Sequence, residues 1–269
     1  MYRLGWFSTG RGEGSMKLLN STLDAIKRGQ ISAEISFVFC NREQGEGEGS
    51  DNFLRTVNEH KIPLVAFSHR KYRRDDKSSE WRTNYFKEVA KKLSPYQFDL
   101  GVHAGFLLIT SADWCNTRTL LNLHPAAPGG PKGTWQEVIW ELIAANTNES
   151  GCYMHHVTAD LDAGPVVTYS KFGIKSNDMK SLWDEIRGKN LEDIKKSPGE
   201  ELQLFKVIRQ KGVAHEIPLV IETLRSFAQG DVSVKDGRVV DRHGKPIHGY
   251  DLTSQIEAHL KATQKGVAP

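Results

Sequence analysis

The chain has 269 residues, of which 38% are hydrophobic, so it is long enough to bury the core of one sizeable domain. Its 36 Lys and Arg residues nearly balance its 33 Asp and Glu residues, and the net charge of +3 argues against the concentrated basic surface of a nucleic-acid-binding protein. Cys40, Cys115 and Cys152 lie far apart without Cys-x-x-Cys spacing, which argues against a disulfide framework and a zinc knuckle.

The first half of the chain alternates between strand and helix patterns. Apolar, β-rich runs predict strands at residues 4–8, 33–39, 63–67, 98–106 and 120–123. Helical spacing of apolar residues predicts helices at 16–26, 53–60 and 80–93, with loops at 40–51 and 68–79. Because strands that alternate with helices pair in parallel through right-handed connections, the pattern predicts a doubly wound α/β fold with a mostly parallel sheet.

The second half of the chain adds antiparallel strands and further helices. A helix is predicted at 135–145, and predicted strands at 152–158 and 166–172 flank a loop that carries Asp162. Two mostly helical stretches, 176–196 and 200–229, are separated by a Ser-Pro-Gly break, and residues 232–250 have the turn chemistry of a hairpin. We therefore expect a main domain at residues 1–231 and a C-terminal hairpin and tail at 232–269.

A glycine-rich loop joins the first predicted strand to the first predicted helix. The backbone N–H groups around Gly10, Gly12 and Gly14, together with the positive end of the helix, could hold a phosphate. Ser15 stands where the third glycine of a dinucleotide fingerprint would fall, so a phosphomonoester is favoured over NAD. A plain tight turn is the alternative interpretation.

Three polar residues form the pattern that indicates chemistry. Asn122 and His124 end an apolar strand, and alternate strand residues project from the same face, so both side chains can meet one substrate. Asp162 lies in a turn closed by glycine and proline. An amide, an imidazole and a carboxylate together suggest transfer of a carbonyl group, whereas a core histidine and a surface turn aspartate are the alternatives.

Two longer motifs carry a resemblance to a known family. They are Asn122-x-His124-Pro125 and Gly151-x-x-x-His155-x-Val157-Thr158-x-x-Leu161-Asp162-x-Gly164-Pro165. With the segment at 104–109 and the glycine loop, they resemble the folate-dependent formyltransferases from residue 4 to about residue 231. The resemblance implies a Rossmann-like formyltransferase fold with a C-terminal helical and hairpin extension. It further implies transfer of a formyl group from 10-formyltetrahydrofolate, a co-substrate, to the amine of glycinamide ribonucleotide in purine synthesis, without metal or NAD.

Asn122, His124 and Asp162 match the catalytic residues of that family. The acceptor amine attacks the formyl carbon, and negative charge develops on the formyl oxygen of a tetrahedral intermediate. Asn122 and protonated His124 would stabilise that oxygen as oxyanion donors. Asp162 would keep His124 charged and help to move the amine proton to the departing folate nitrogen.

The resemblance also implies two sets of binding residues. The folate co-substrate would contact a set of apolar, polar and basic residues: Arg82, Leu107, Leu108, Ile109, Thr110, Thr158, Ala159 and Asp160. The acceptor and its phosphate would contact the glycine loop and two further positions: Gly12, Glu13, Gly14, Ser15, Gly105 and Pro125.

Four features of this chain depart from the family pattern. The glycine loop is one residue longer and carries Glu13, whose charge would oppose a phosphate unless the side chain points away. Val213 stands where a family glutamate holds the ribose hydroxyls, and Leu108 stands where an arginine is common. The loop after His124 also lacks the usual serine-leucine-leucine-proline sequence. These changes bear on the acceptor more than on the chemistry.

Other functions and partners follow from what the pattern leaves open. A formyltetrahydrofolate hydrolase, a formyltransferase for another amine such as an amino sugar nucleotide, and a non-catalytic nucleotide-binding module are the alternatives. Adjacent strand histidines such as His155 and His156 point to opposite faces, which argues against a metal site. No apolar run reaches the ~20 residues of a membrane span, and no signal-peptide core is visible. We expect a cytoplasmic monomer or homodimer with small-molecule partners, no nucleic acid and no membrane contact.

Overall fold

A computed structural model describes residues 1–73 and 80–264 of the chain. Its strands are β1 (Tyr2–Ser8), β2 (Ala33–Cys40), β3 (Leu64–Ala66), β4 (Leu100–His103), β5 (Leu120–His124), β6 (Glu149–His156), β7 (Val166–Gly173), β8 (Val232–Lys235), β9 (Arg238–Asp241) and β10 (Tyr250–Asp251). Its α-helices are α1 (Glu13–Lys27), α2 (Glu48–Glu59), α3 (Glu80–Leu93), α4 (Ala112–Cys115), α5 (Trp135–Ala144), α6 (Lys180–Ile186), α7 (Leu191–Lys196), α8 (Gln203–Ala228) and α9 (Thr253–Gln264).

The described part of the chain forms one eight-stranded sheet with the order β10-β7-β6-β5-β4-β1-β2-β3. Five adjacent strands, in the sheet order β5-β4-β1-β2-β3, are parallel to one another. Strand β6 is antiparallel to both of its neighbours, β5 and β7, and β10 pairs in parallel with β7. Strands β8 and β9 form a separate hairpin. This arrangement confirms the predicted doubly wound, mostly parallel Rossmann-like fold with a C-terminal helical and hairpin extension.

Helices cover both faces of the sheet, which explains why its central strands read as continuous apolar runs. On one face, β1 and β4 side chains such as Trp6 and Val102 pack with residues of α1, α2 and α8, including Leu19 and Leu224. On the other face lies an aromatic cluster with residues of α3 and α4, in which Phe7 contacts five other aromatic rings and His103. The two faces hold the parallel strands rigidly, so that the loops at their carboxyl ends have a fixed base.

The start of α2 and the short helix α4 differ from the sequence-based expectation. The glycine-glutamate loop predicted at 40–51 ends earlier, because α2 begins at Glu48. A Cβ at Gly49 would lie 2.4 Å from the Arg11 carbonyl oxygen, so this glycine lets the start of α2 pack against the first glycine loop. The short helix α4 was not expected, and part of the loop predicted at 68–79 lies outside the described residues.

The C-terminal tail contributes to the same sheet and core as the residues before it. Strand β10 adds to the free edge of β7, and the Lys171 N–H donates to the Thr253 hydroxyl 3.1 Å away. Leu252 and Ile256 are buried in the same hydrophobic cluster as Leu4 and Trp6 of β1. The boundary near residue 231 stays a prediction. No helix among the described residues is long and apolar enough to cross a bilayer.

Candidate active site

The predicted catalytic residues lie where parallel strands end and antiparallel strands begin. Asn122 and His124 both lie on β5, and their alternate spacing directs the two side chains to the same face of the sheet. Asn122 pairs in register with His103 of β4 on one side and with His155 of β6 on the other. His124 pairs with Tyr153, whose ring centroid lies 5.0 Å from the imidazole.

The turn between β6 and β7 brings Asp162 close to His155, the register partner of Asn122. Asp162 has a φ of 49°, in the left-handed region that aspartate and asparagine tolerate better than most residues. Gly164 lets the turn fold back tightly, because a Cβ there would lie 1.7 Å from the His156 carbonyl oxygen. Asp162 Oδ1 consequently lies 3.4 Å from His155 Nε2.

Asn122, His155 and Asp162 form a row of polar side chains, in which His155 joins Asp162 to Asn122. Its Nε2 lies 3.2 Å from Asn122 Nδ2, and its Nδ1 lies 3.3 Å from the His156 carbonyl oxygen. A carbonyl oxygen only accepts, so Nδ1 carries a proton. In the neutral ring Nε2 accepts from Asn122, whereas in the charged ring Nε2 donates to Asp162.

This role of His155 was missed from the sequence. The sequence places His155 in the family motif but indicates no contact with Asn122 or Asp162. Its partners are set by the register of β5 against β6, which the sequence does not reveal. The only signal was its fixed spacing before Asp162 in the motif.

The environment of His124 favours the neutral ring. Its Nε2 lies 3.0 Å from the Pro131 carbonyl oxygen, so Nε2 carries a proton and Nδ1 is the nitrogen that can exchange one. Burial lowers the pKa of His124, although the Pro131 carbonyl and the Asp162 carboxylate oppose that shift. No direct hydrogen bond joins Asp162 and His124 among the described residues, and Asp162 acts on His124 through its charge.

Asp162 itself is held as a carboxylate. The His155 side chain 3.4 Å away lowers its pKa, and the charge of Lys132 acts in the same direction. Burial opposes this shift without reversing it. The side chain therefore supplies a negative charge beside two imidazoles at neutral pH.

The loop after His124 is anchored at both ends. Gly151 on β6 makes room for it, because a Cβ there would lie 3.1 Å from Ala127 Cα. At the other end Thr134 begins α5 with a capping box, in which its hydroxyl accepts from the Glu137 N–H and Glu137 accepts from the Thr134 N–H. Between these anchors, Pro131 holds His124 and Pro125 is half-buried.

The glycine loop and the segment after β4 are tied together at the next part of the same edge. The Thr9 N–H donates to the Gly105 carbonyl oxygen at 3.1 Å, and the Leu107 N–H donates to the Thr9 hydroxyl at 2.9 Å. Gly105 has a φ of +67°, and a Cβ there would lie 2.2 Å from Ser15 Oγ. Two of the predicted acceptor-binding positions, Ser15 and Gly105, are thus in contact.

The start of α1 is open for an anion. Gly12 is the N-cap, and no side chain caps the helix, so its first N–H groups keep their hydrogen-bonding capacity. A Cβ at Gly12 or Gly14 would meet no atom within 4 Å. The Glu13 side chain is 89% exposed and pairs with Lys17 at 3.3 Å, so its carboxylate points away from the loop. The charge conflict expected from Glu13 is thereby relieved.

The predicted folate segments expose apolar side chains. Leu107 and Leu161 are 65% and 61% exposed, and Ile109 is also exposed, which is unusual for residues of this size. Leu108 instead packs against the aromatic cluster under β4, and the Thr110 hydroxyl lies 2.8 Å from Cys115 Sγ. The exposed side chains belong to the segments after β4 and before Asp162, and they could cover the face of a flat ring.

Three other predicted folate residues lie in the turn before Asp162, and one lies elsewhere. The Thr158 hydroxyl donates to the Asp160 carbonyl at 3.1 Å, and Ala159 and Asp160 are exposed. Arg82 lies in the first turn of α3, with its guanidinium 5.7 Å from the Trp81 ring centroid. Within residues 1–73 and 80–264, no contact joins Arg82 to the catalytic row.

The residues that the structure describes contain no cluster of three or more His, Cys, Asp or Glu side chains that could hold a metal ion. The polar groups of the site are instead amide, imidazole, carboxylate and backbone N–H groups, which suit oxyanion and phosphate binding.

Known proteins resemble this chain in sequence and in fold. A sequence profile described as formyl transferase matches residues 11–192. The phosphoribosylglycinamide formyltransferase of Dictyostelium discoideum is 28% identical over 177 residues, which are 62% of this chain and 83% of that protein.

Solved structures match over most of the chain. The structure of the phosphoribosylglycinamide formyltransferase of Coxiella burnetii has a TM-score of 0.67 and 22% identity, and the match covers 93% of this chain and 98% of that one. A formyltetrahydrofolate deformylase from Pseudomonas syringae has a TM-score of 0.62 and 18% identity, over 89% of this chain and 65% of that one. These two likenesses support the fold, and the sequence profile covers more than half of the chain. The chain therefore belongs to the formyl transferase family.

Proposed function

We propose that this chain transfers the formyl group of 10-formyltetrahydrofolate to the amine of glycinamide ribonucleotide. The observation that carries the proposal is the row of Asn122, His155 and Asp162 beside His124, on the same edge of the sheet as an open glycine loop. One part of this edge offers groups for carbonyl chemistry, and the other offers N–H groups for a phosphate. An amine on a phosphorylated acceptor would bridge them.

Asn122 is the donor best suited to the developing oxyanion. Its amide has two N–H groups, of which one is directed to His155 Nε2, and the second is available to the formyl oxygen. Donors that are already oriented stabilise an oxyanion without reorganising during the reaction. The contact with His155 supports this orientation.

His124 acts first as a base and then as a cation. With Nε2–H held by the Pro131 carbonyl, neutral Nδ1 can accept a proton from the attacking amine as the new C–N bond forms. The resulting imidazolium is stabilised by the Asp162 charge and can support the oxyanion. As the intermediate collapses, the bond from the formyl carbon to N10 breaks and a proton passes to N10, so that the products are tetrahydrofolate and the formylated amine.

The acceptor phosphate would bind at the start of α1. The uncapped N–H groups after Gly12 and the helix dipole favour an anion there, and the exposed Glu13 leaves the loop free. The exposed apolar side chains of Leu107 and Leu161 are where the folate ring would lie. The Ala104 carbonyl oxygen accepts from the Ser8 hydroxyl, and the Leu107 N–H donates to the Thr9 hydroxyl. This segment follows β4, which pairs with β5, so the two substrates would meet across it.

A formyltetrahydrofolate hydrolase is the second candidate, and one observation favours it. Val213, half-buried on α8, stands at the position of the ribose-binding glutamate in the family resemblance and cannot accept a hydrogen bond through its side chain. A water molecule as acceptor would need neither that glutamate nor the phosphate site. The same row could then activate water in place of an amine.

One experiment separates these functions. The purified protein is incubated with 10-formyltetrahydrofolate alone, with glycinamide ribonucleotide, and with an amino sugar nucleotide, and tetrahydrofolate, formate and formylated amine are quantified. Turnover that requires glycinamide ribonucleotide is expected. Formate release without an acceptor would support the hydrolase. Turnover only with the amino sugar nucleotide would mean that this compound, and not glycinamide ribonucleotide, is the acceptor. Without turnover in any of the three mixtures, the proposed chemistry is wrong.

A further inference from the structure

His103 lies beside the catalytic row and has no role in the chemistry described so far. It is the last residue of β4 and is 4% exposed. Its register partner on β5 is Asn122, and the register partner of Asn122 on β6 is His155. Because register partners on adjacent strands project to the same face, the amide of Asn122 stands between two imidazoles.

The Nε2 atom of His103 is buried without a hydrogen-bond partner among the described residues. The ring is enclosed by the Phe106 and Phe7 rings, whose centroids lie 4.9 Å and 5.6 Å away. Phe7 is its register partner on β1, so the polar side chain that the sheet places beside it is Asn122. Adjacent strands are about 4.8 Å apart, which puts register partners within reach of a hydrogen bond after a small side-chain rotation.

The charge state of His103 is fixed by its surroundings. Burial, with a smaller contribution from the charge of His155, lowers its pKa to about 3. The ring is therefore neutral throughout the working pH range, and it cannot serve as an acid or base near pH 7. A neutral imidazole still carries one N–H donor.

A buried donor left unpaired costs about 1–3 kcal/mol, so a partner is strongly favoured. Asn122 Nδ2 is directed to His155, which leaves Oδ1 as the end of the amide that can accept. A bond from His103 Nε2–H to Asn122 Oδ1 would satisfy the donor. It would also hold the amide at both ends and keep its second N–H directed away from the row.

We propose that His103 is a positioning residue, which donates to Asn122 Oδ1 and orients the Asn122 amide toward the formyl oxygen. This inference rests on the proposed function only for the consequence to catalysis. The proposed hydrogen bond itself requires neither substrate. His103 acts through Asn122 and touches neither the formyl group nor the acceptor.

The catalytic test is a double-mutant cycle. His103→Leu, whose apolar side chain suits the Phe7 and Phe106 surroundings, should lower kcat about tenfold with little change in either KM. His103→Gln, which restores an N–H donor, should recover kcat to within about threefold of the wild type. In an Asn122→Ala background, His103→Leu should have no further effect on kcat, because the amide that it positions is gone.

The control is His156→Leu, which replaces the neighbouring strand histidine on the opposite face of the sheet and should leave kcat unchanged. An equal loss from His103→Leu in the wild-type and Asn122→Ala backgrounds would overturn the proposal, since His103 would then act independently of Asn122. The pH dependence of kcat should keep its shape in His103→Leu. A displaced limb would mean that His103 itself exchanges a proton.

A second measurement separates this proposal from the proposed function. In protein labelled with ¹⁵N-asparagine, the side-chain amide signal of Asn122 should shift in His103→Leu and stay unchanged in His156→Leu. If the wild type lacks turnover yet this shift occurs, the proposed function fails and the His103–Asn122 bond stands. If the Asn122 signal is unchanged in His103→Leu, the bond is absent and the proposal is wrong, whatever the activity.

Discussion

Two parts of the same sheet edge are built from different groups. At the end of β1, the glycine loop offers backbone N–H groups, and the added Cβ atoms of Gly12 and Gly14 would meet only open space. At the ends of β4, β5 and β6, the site consists of buried or half-buried polar side chains in register, from His103 through Asn122 to His155. A site built from backbone groups responds to bulk, whereas a site built from linked side chains responds to the loss of any one member.

The largest effect is expected at the end of the side-chain row. Asp162→Asn should lower kcat about 10³-fold, within the range for loss of assisted proton transfer. Asp162 raises the pKa of His124, so its removal should also lower that pKa further. Because His124 must be neutral to act as a base, activity rises with pH through that pKa, and the acidic limb should move to lower pH in the variant. A pH series of kcat measures both effects.

The matched control for Asp162→Asn is Asp236→Asn. Asp236 is also an aspartate in the left-handed region, with a φ of 49°, but it lies in the exposed turn of the β8–β9 hairpin. Both substitutions keep a side chain that tolerates this backbone conformation. Equal activities of the two variants would mean that Asp162 is only a turn residue.

Loss of Asn122, at the other end of the row, should have the next largest effect. Asn122→Ala is expected to lower kcat by about 10²–10³, the scale for removing one oxyanion donor, with smaller changes in KM. Steady-state kinetics at saturating co-substrate measure this, and an unchanged denaturant midpoint shows that the fold is kept. A loss below about tenfold would contradict the oxyanion role of Asn122.

The burial of His103 should also make the protein sensitive to acid. The folded-state pKa of His103 is about 3, below the ordinary 6.5, so the unfolded chain binds more protons below pH 6.5. Stability due to this group is lost as the pH falls from 6.5 toward 3, by about 2–3 kcal/mol at pH 4.5. Urea unfolding at pH 7 and 4.5 should show this loss in the wild type and a smaller loss in His103→Leu.

The exposed His248 provides the control for acid sensitivity. His248→Leu should lose as much stability between pH 7 and 4.5 as the wild type, because this position is open to solvent. If His103→Leu loses as much stability as these two proteins, then His103 does not carry the acid sensitivity.

The smallest effect on activity is expected in the glycine loop, where the groups proposed to bind the acceptor are backbone N–H groups. Gly12→Val should raise the KM for the acceptor about tenfold and leave kcat nearly unchanged, because the added side chain occupies the space next to the helix N–H groups. The backbone at Gly12, with a φ of −137°, accommodates valine without strain. Initial-rate measurements over a range of acceptor concentrations give both constants.

Gly173→Val is the matched control for Gly12→Val. A Cβ at Gly173 also meets nothing within 4 Å, but this residue ends β7, away from the glycine loop. Its acceptor KM should equal that of the wild type. An unchanged acceptor KM in Gly12→Val would mean that the phosphate binds elsewhere.

Sequence patterns predicted the central architecture because buried parallel strands carry a strong apolar signal. The runs that became β1, β2 and β5 and the periodic helices α1, α3 and α5 all follow from local patterns. The elements β10 and α4 were missed because they have two and four residues, too few to show a period. Strand β10 exists because β7 offers a free edge, which is a tertiary cause.

The site also has residues that local sequence rules could place and residues that only the tertiary structure places. Asn122 and His124 could be placed together because alternate residues of one strand share a face, which is a local rule. The contacts of His155 and the position of His103 depend on the pairing of β4, β5 and β6, and those registers are set by the whole sheet. The lowered pKa of His124 depends on burial by other segments, which the residues next to it in the sequence do not reveal.

The clearance between Gly105 and Ser15 has a consequence for how this family can change its acceptor. A side chain at residue 105 would push against the first turn of α1 and would displace the N–H groups proposed to bind the acceptor phosphate. Selectivity for the acceptor would therefore change through substitutions in the segment after β4, without any new contact to the acceptor. Directed evolution toward a different amine would be expected to accumulate changes around residues 104–107 as well as in the glycine loop.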